Sequence, residues 1–164
     1  MDTPTTATHN RRAVANRASR PLGILVADHL PLSRVILEIT LENRGFRVWP
    51  AGDGQEAVEV YRENQAAIDL VVLDASIGDP EAREVFRQLR GTRPDVCCCV
   101  MTDANDPFAS ELYLDLGAIW TFPRPWPVSR VAEILWRLAE DLSWAPPPPY
   151  CVLSQQRNAT AKPR

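Results

Sequence analysis

The sequence of 164 residues has no uninterrupted apolar run near the roughly 18 residues that a membrane-spanning helix needs. Its opening stretch, MDTPTTATHNRRAVANRASRP, carries arginines but no apolar core of the kind a secretory signal requires. These two absences make the cytoplasm the expected location. Cysteine is scarce, at four residues, and no pair stands in a CxxC spacing, so the common zinc and dithiol motifs are missing. Cys97, Cys98 and Cys99 are consecutive in an apolar run, where a strand would turn Cys98 away from its neighbours. They read as reduced, small buried hydrophobes, and Cys151 falls in the C-terminal tail. No glycine-rich loop follows the first candidate strand. Asp28-His29-Leu30-Pro31 stands there instead, which argues against a nucleotide-binding domain.

What is present is ordinary globular composition, 45% hydrophobic and 24% charged, and enough chain for one domain. The net charge of −3 is unevenly spread. Both ends are basic, through Arg11, Arg12, Arg17 and Arg20 at one and Arg157, Lys162 and Arg164 at the other, while the middle is acidic. An acidic domain is a poor nucleic-acid binder. The expected division is a disordered basic tail over 1–20, a folded domain over 21–144, and a proline-rich disordered tail over 145–164. The four prolines before Tyr150 make a stiff extended spacer.

Between the tails the pattern alternates. Leu22 to Ala27, Phe46 to Ala51, Leu70 to Leu73, Val96 to Met101 and Ala118 to Phe122 read as strands. Leu70-Val71-Val72-Leu73 is apolar without alternation, as a strand covered on both faces should be. Helical patterns follow each strand. The first opens at Pro31, with Leu32, Val35, Ile36 and Ile39 as its core stripe and Gly45 as its stop. The second follows Asp53-Gly54, the third starts at Asp79 or Pro80 and ends near Gly91, and the fourth is capped at Asp106-Pro107 and closed by Gly117. The fifth opens at Pro127 and carries Val128, Val131, Ala132, Leu135, Leu138, Ala139 and Leu142 on one stripe. Five strand–helix units with short links predict an α/β fold: an open, five-stranded parallel sheet with helices on both faces.

Ligands of such sheets sit at the carboxyl ends of the strands. The residues expected there are Asp28 and His29 after the first strand, Asp74 after the third, Thr102 and Asp103 after the fourth, and Arg124 after the fifth. Carboxylates on neighbouring strands suit a hard divalent cation such as magnesium, and a carboxylate beside a cation can accept a phosphoryl group.

Those residues, with ILVADH at 24–29, DLVVLD at 69–74, VMT at 100–102 and GAIWTFPRPW at 117–126, resemble the receiver domains of two-component response regulators. GFRVWPAGDGQEAVEVYREN at 45–64 is similar to that family's second strand and helix. The resemblance spans about residues 22–143 and implies a flavodoxin-like sheet of order 2-1-3-4-5. It implies Asp74 as phosphoacceptor, Thr102 and Arg124 as the groups that sense the phosphoryl group, and Asp28 with Asp74 as ligands of Mg2+. It also implies a histidine kinase, a phosphotransfer protein or another regulator as partner, with the face of the fourth helix, fifth strand and fifth helix available for a homodimer.

Four positions depart from the family pattern. His29 replaces the second acid of the metal pair, and imidazole is a poor magnesium ligand. Arg124 replaces a lysine, with a different reach and fork. Asp103 stands where a small residue follows the hydroxyl, and Thr121 where an aromatic switch residue is usual. The loop after Asp74, ASIGDPEA, is altered as well. The expectation is a stand-alone pseudo-receiver with weakened magnesium and phosphoryl chemistry, acting through protein contacts and not as an enzyme, with Arg124 paired to Asp74 or Asp103. The alternatives are a receiver still phosphorylated on Asp74, and a small phosphatase with an aspartyl nucleophile, against which Ser76 stands where that chemistry needs an acid. Of the other marked residues, Arg83, Arg87 and Arg90 read as a solvated helix face, and Trp136 falls off the stripe of the last helix. No output domain is expected to follow.

Overall fold

The computed structural model describes residues 20–106 and 108–144, with side chains described as far as residue 140. The expectations for the two tails, for Pro107 and for Leu142 lie outside the described residues, apart from Arg20. Five strands, β1 (Gly23–Ala27), β2 (Arg47–Ala51), β3 (Leu70–Asp74), β4 (Cys97–Asp103) and β5 (Trp120–Arg124), alternate with five helices. The helices are α1 (Pro31–Glu42), α2 (Gly54–Asn64), α3 (Ala82–Thr92), α4 (Ala109–Asp115) and α5 (Val128–Trp144). All strand pairs are parallel, in the order β2-β1-β3-β4-β5.

The sequence explains which strands lie inside. β1 and β3 are buried at every position, as their uninterrupted aliphatic runs require when helices cover both faces. The edge strands β2 and β5 carry Pro50 and Pro123, and proline without an N–H is tolerated at an edge. On one face Ile24, Val26, Leu70, Val72 and Met101 pack under α1 and α5. On the other, Leu25, Val71, Leu73 and Val100 pack under α2, α3 and α4. Cys98 belongs to the second face and Cys97 and Cys99 to the first, as strand alternation predicts. Burial pushes the thiols of Cys98 and Cys99 up, which disfavours their thiolates and suits a packing role.

The helix ends follow local chemistry. Asp53 caps α2 by accepting from the Glu56 N–H at 2.8 Å, and Glu56 returns a bond to the Gly52 N–H at 2.6 Å. Asp106 accepts from the N–H groups of Phe108 and Ala109 ahead of α4. Gly117, at φ +98°, closes that helix in the left-handed region, and a Cβ there would meet the Arg90 guanidinium at 2.1 Å. Helix α3 starts at Ala82, not at Asp79 or Pro80. Pro80 is used instead against α2, where a Cβ on Gly54 would lie 2.4 Å from its carbonyl oxygen.

Three expectations are corrected. Arg20, counted with the basic tail, belongs to the domain: its guanidinium bonds both oxygens of Asp69 and the carbonyls of Ala66 and Ala67. Arg90 is not simply solvated, since it lies over the Phe86 ring and donates to the Gly117 carbonyl. Most consequentially, α1 is turned the other way. Leu37 and Leu41 are buried, whereas Leu32, Val35, Ile36 and Ile39 are 73%, 45%, 41% and 54% exposed. The predicted core stripe, at i, i+3, i+4 and i+7, faces outward.

This orientation has a measurable consequence. Leu37→Ala is expected to lower the unfolding free energy by about 2–5 kcal/mol, as for other buried leucines. Leu32→Ser and Ile39→Ser are expected to change it by no more than about 0.5 kcal/mol. Urea denaturation of the three variants checks both values, and the reverse order would contradict the outward stripe.

Candidate functional site

The carboxyl ends of β1, β3, β4 and β5 form one rim, and the polar residues read from the sequence meet there. Asp28, immediately after β1, is fully buried. Its Oδ1 accepts from the Leu30 N–H at 2.9 Å. Its Oδ2 accepts from the Ser33 hydroxyl at 2.5 Å and from Arg124 Nη2 at 2.9 Å. Arg34 donates to the Asp28 carbonyl at 2.5 Å. The first turn of α1 therefore holds Asp28 from three atoms, one backbone and two side-chain.

Asp74, the last residue of β3, is 1% exposed and equally engaged. Its Oδ1 accepts from the Ser76 N–H at 3.0 Å. Its Oδ2 lies 2.5 Å from His29 Nδ1 and 3.6 Å from Arg124 Nη2. One oxygen of each aspartate is thus tied to a backbone N–H. The other oxygen of each points to the same guanidinium nitrogen.

Arg124 reaches that point from the last position of β5. Its guanidinium lies 5.8 Å from the centre of the Trp126 ring and 3.9 Å from Met101 Sδ. The sequence had offered Asp74 or Asp103 as its partner. Asp28 is the closer carboxylate, Asp74 is the second, and Asp103 is not a partner. Asp103 sits beside Arg124 in the β4–β5 register but turns outward, accepting from the N–H and side-chain amide of Asn105.

Thr102 is buried, and its hydroxyl is 3.0 Å from that of Ser110 on α4. Thr121 is also buried, opposite Val100 in the register, with no aromatic ring at that position. Asp28, His29 and Asp74 each bring one ligand atom to within 4.8 Å of the others, a group that could hold a metal ion. Ser33, Arg34, Ser110 and Trp126 are members of the site that sequence reasoning did not single out for it. Ser33 and Arg34 had a usable signal, since both lie within one turn of the Asp28-His29 pair.

A doubly wound parallel sheet with an aspartate after β1, an aspartate ending β3, a hydroxyl on β4 and a cation on β5 defines the receiver class of signalling domain. The family model for the response regulator receiver domain matches residues 24–135, and the chain belongs to that family. It is 33% identical over 125 residues to the response regulator MprA of Mycobacterium sp. (strain KMS), covering 74% of this chain and 54% of that protein. It is 26% identical over 140 residues to the sensor kinase CckA of Brucella abortus, covering 85% of this chain and 15% of that one. The chain thus spans about half, or much less, of these curated relatives. A receiver domain protein from Clostridium thermocellum shares the fold, with a TM-score of 0.69 at 20% identity, over 75% of this chain and 98% of the other. Among the described residues no helix is long and apolar enough to cross a membrane.

Proposed function

We propose that this receiver works as a pseudo-receiver, its site held together by Arg124 where relatives of this family would use magnesium. The observation that carries this reading is the convergence of Asp28 Oδ2 and Asp74 Oδ2 on Arg124 Nη2, at 2.9 and 3.6 Å. A guanidinium there supplies the positive charge that two buried carboxylates need. The donor set does not fit magnesium: one of its three ligand atoms is an imidazole nitrogen, and magnesium takes oxygen in near-octahedral geometry. Asp74 Oδ2 already faces His29 and Arg124, which compete with the attack on a phosphoryl group that the resemblance implies.

Signalling then proceeds by protein contact in the cytoplasm, without catalysis of its own. The outward stripe of α1 supports this, because four large apolar side chains in one row on a helix suit a partner's helical face. A histidine kinase, a phosphotransfer protein or another regulator would be such a partner. Trp136 contributes less than its position off the stripe suggested. It is 42% exposed, with its ring edge-on to Phe46 and its N–H bonded to Glu140, so a dimer through α4, β5 and α5 has little support from it.

One observation favours the second reading, phosphorylation on Asp74: the acceptor, Asp28 and Thr102 are all in place at the rim. Intact-mass analysis after incubation with magnesium and a small phosphodonor separates the two. The proposed reading expects the unmodified mass. An adduct that disappears in Asp74→Ala overturns it.

A further inference from the structure

We propose that the outward row of α1 is the interface of a homodimer, in which α1 of one copy packs antiparallel on α1 of a second. The inference rests on the reading above that this protein signals through contacts of that face, and it names the partner as a second copy of the chain.

Leu32, Val35, Ile36 and Ile39 stand at i, i+3, i+4 and i+7, a spacing that reads the same from either end. A two-fold axis between Val35 and Ile36, perpendicular to the helix, sets Leu32 of one copy against Ile39 of the other, and Val35 against Ile36. Each contact is then made twice, as an isologous interface requires. All four side chains are exposed, and Leu30, also exposed, prolongs the apolar patch toward the rim. Rows at i+3 and i+4 are also the ridges and grooves by which two helices interlock. The site itself keeps the row outward. Ser33 Oγ donates to the Asp28 carboxylate and Arg34 to the Asp28 carbonyl, so α1 cannot turn the row to the sheet without breaking both bonds.

Charge favours a second copy and fixes its direction. No charged residue lies on the row, so two copies meet without like charges across the axis. Helix α1 has no acid in its first turn, no base in its last and no side-chain cap at its start. The antiparallel register brings Glu42, exposed at the end of one α1, to the loop at His29 and Leu30 that opens the other, where the helix dipole favours a carboxylate. A parallel pair would set Glu42 against Glu42 and align the two dipoles side by side.

Sedimentation equilibrium of the full chain, reduced, over a range of micromolar concentrations tests the dimer. The mass is expected to rise from one chain to two and to stop there. Ile36→Glu puts two like charges beside the axis and should weaken association at least about tenfold. Glu42→Lys should weaken it about two- to fivefold, the effect of one charge near a helix end. Near-UV circular dichroism checks that both variants keep their fold. Direction is read by disulfide trapping in a Cys151→Ser background. Leu32→Cys and Ile39→Cys chains, mixed and oxidised with copper phenanthroline, should form chiefly the mixed disulfide, because like positions lie about 10 Å apart along an antiparallel pair. A monomer at every concentration overturns the inference and leaves the face to a partner of another sequence. Unchanged association in Ile36→Glu overturns it too, and would place the interface elsewhere, as on α4, β5 and α5. Trapping of like positions in preference to the mixed pair overturns the antiparallel arrangement. None of these outcomes bears on phosphoryl uptake, so an Asp74-dependent adduct would overturn the pseudo-receiver reading separately.

Discussion

Arg124→Ala is expected to lower the unfolding free energy at neutral pH by about 3–5 kcal/mol, the usual loss when one partner of a buried ion pair is removed. Both carboxylates it serves are buried, at 0% and 2% side-chain exposure, while Arg124 itself is 24% exposed. The substitution leaves two negative groups facing each other without a cation. Their other bonds, to Leu30, Ser33, His29 and Ser76, include no arginine or lysine to replace it. Asp28→Asn placed in the Arg124→Ala background should recover stability. A double-mutant cycle by urea denaturation would then show coupling well above the few tenths of a kcal/mol seen between independent sites. A loss below about 1 kcal/mol, the range of an exposed pair, would mean that Arg124 is only a surface charge.

The second large effect is a gain of chemistry. The double variant His29→Asp with Arg124→Lys is expected to take up a phosphoryl group from a small donor in magnesium, where the wild type does not. His29→Asp supplies the third oxygen ligand and removes the imidazole now 2.5 Å from Asp74 Oδ2. Lysine keeps one positive charge but lacks the planar guanidinium whose Nη2 lies against both Asp28 and Asp74. The metal and the phosphoryl group then face open carboxylate oxygens, and the cation offsets charge on the transferring group. Intact mass before and after the donor reads the outcome directly. A double variant as inert as the wild type would mean that other departures, at Asp103, Thr121 or the 75–82 loop, dominate the site.

Much of this was legible in the sequence because it follows from local rules. Uninterrupted aliphatic runs marked the central strands, and prolines fell on the edges. Asp28, Asp74, Thr102 and Arg124 could be placed on one rim because they end strands of one parallel sheet. The orientation of α1 was not legible, and the reason lies in the site. Ser33 and Arg34 look like solvent residues, yet both turn to Asp28, one to its carboxylate and one to its carbonyl. With two polar residues drawn to the rim, burial falls to Leu37 and Leu41, and the better apolar stripe is left outside. Periodicity shows that a helix has an apolar row; it does not show that the row faces the core.

The nearer partner of Arg124 escaped for a related reason. Charge complementarity offered Asp74 or Asp103; Asp74 is the second partner, and the nearer one, Asp28, was not offered. Asp103 instead satisfies the turn at Asn105, and the long guanidinium side chain extends past β4 to the buried pair. Which carboxylate an edge-strand arginine chooses depends on which one is shut away from water. Burial settles that, and burial of a loop carboxylate is not written in its neighbours.

The central claim is that a guanidinium stands where this family's magnesium would bind. Calorimetric titration of the metal-free wild-type chain with magnesium, beside the same titration of His29→Asp with Arg124→Lys, tests it most directly. The account predicts no saturable heat for the wild type at millimolar magnesium and a clear single-site isotherm for the double variant. A single-site magnesium isotherm from the wild type, lost in Asp74→Ala, would contradict it.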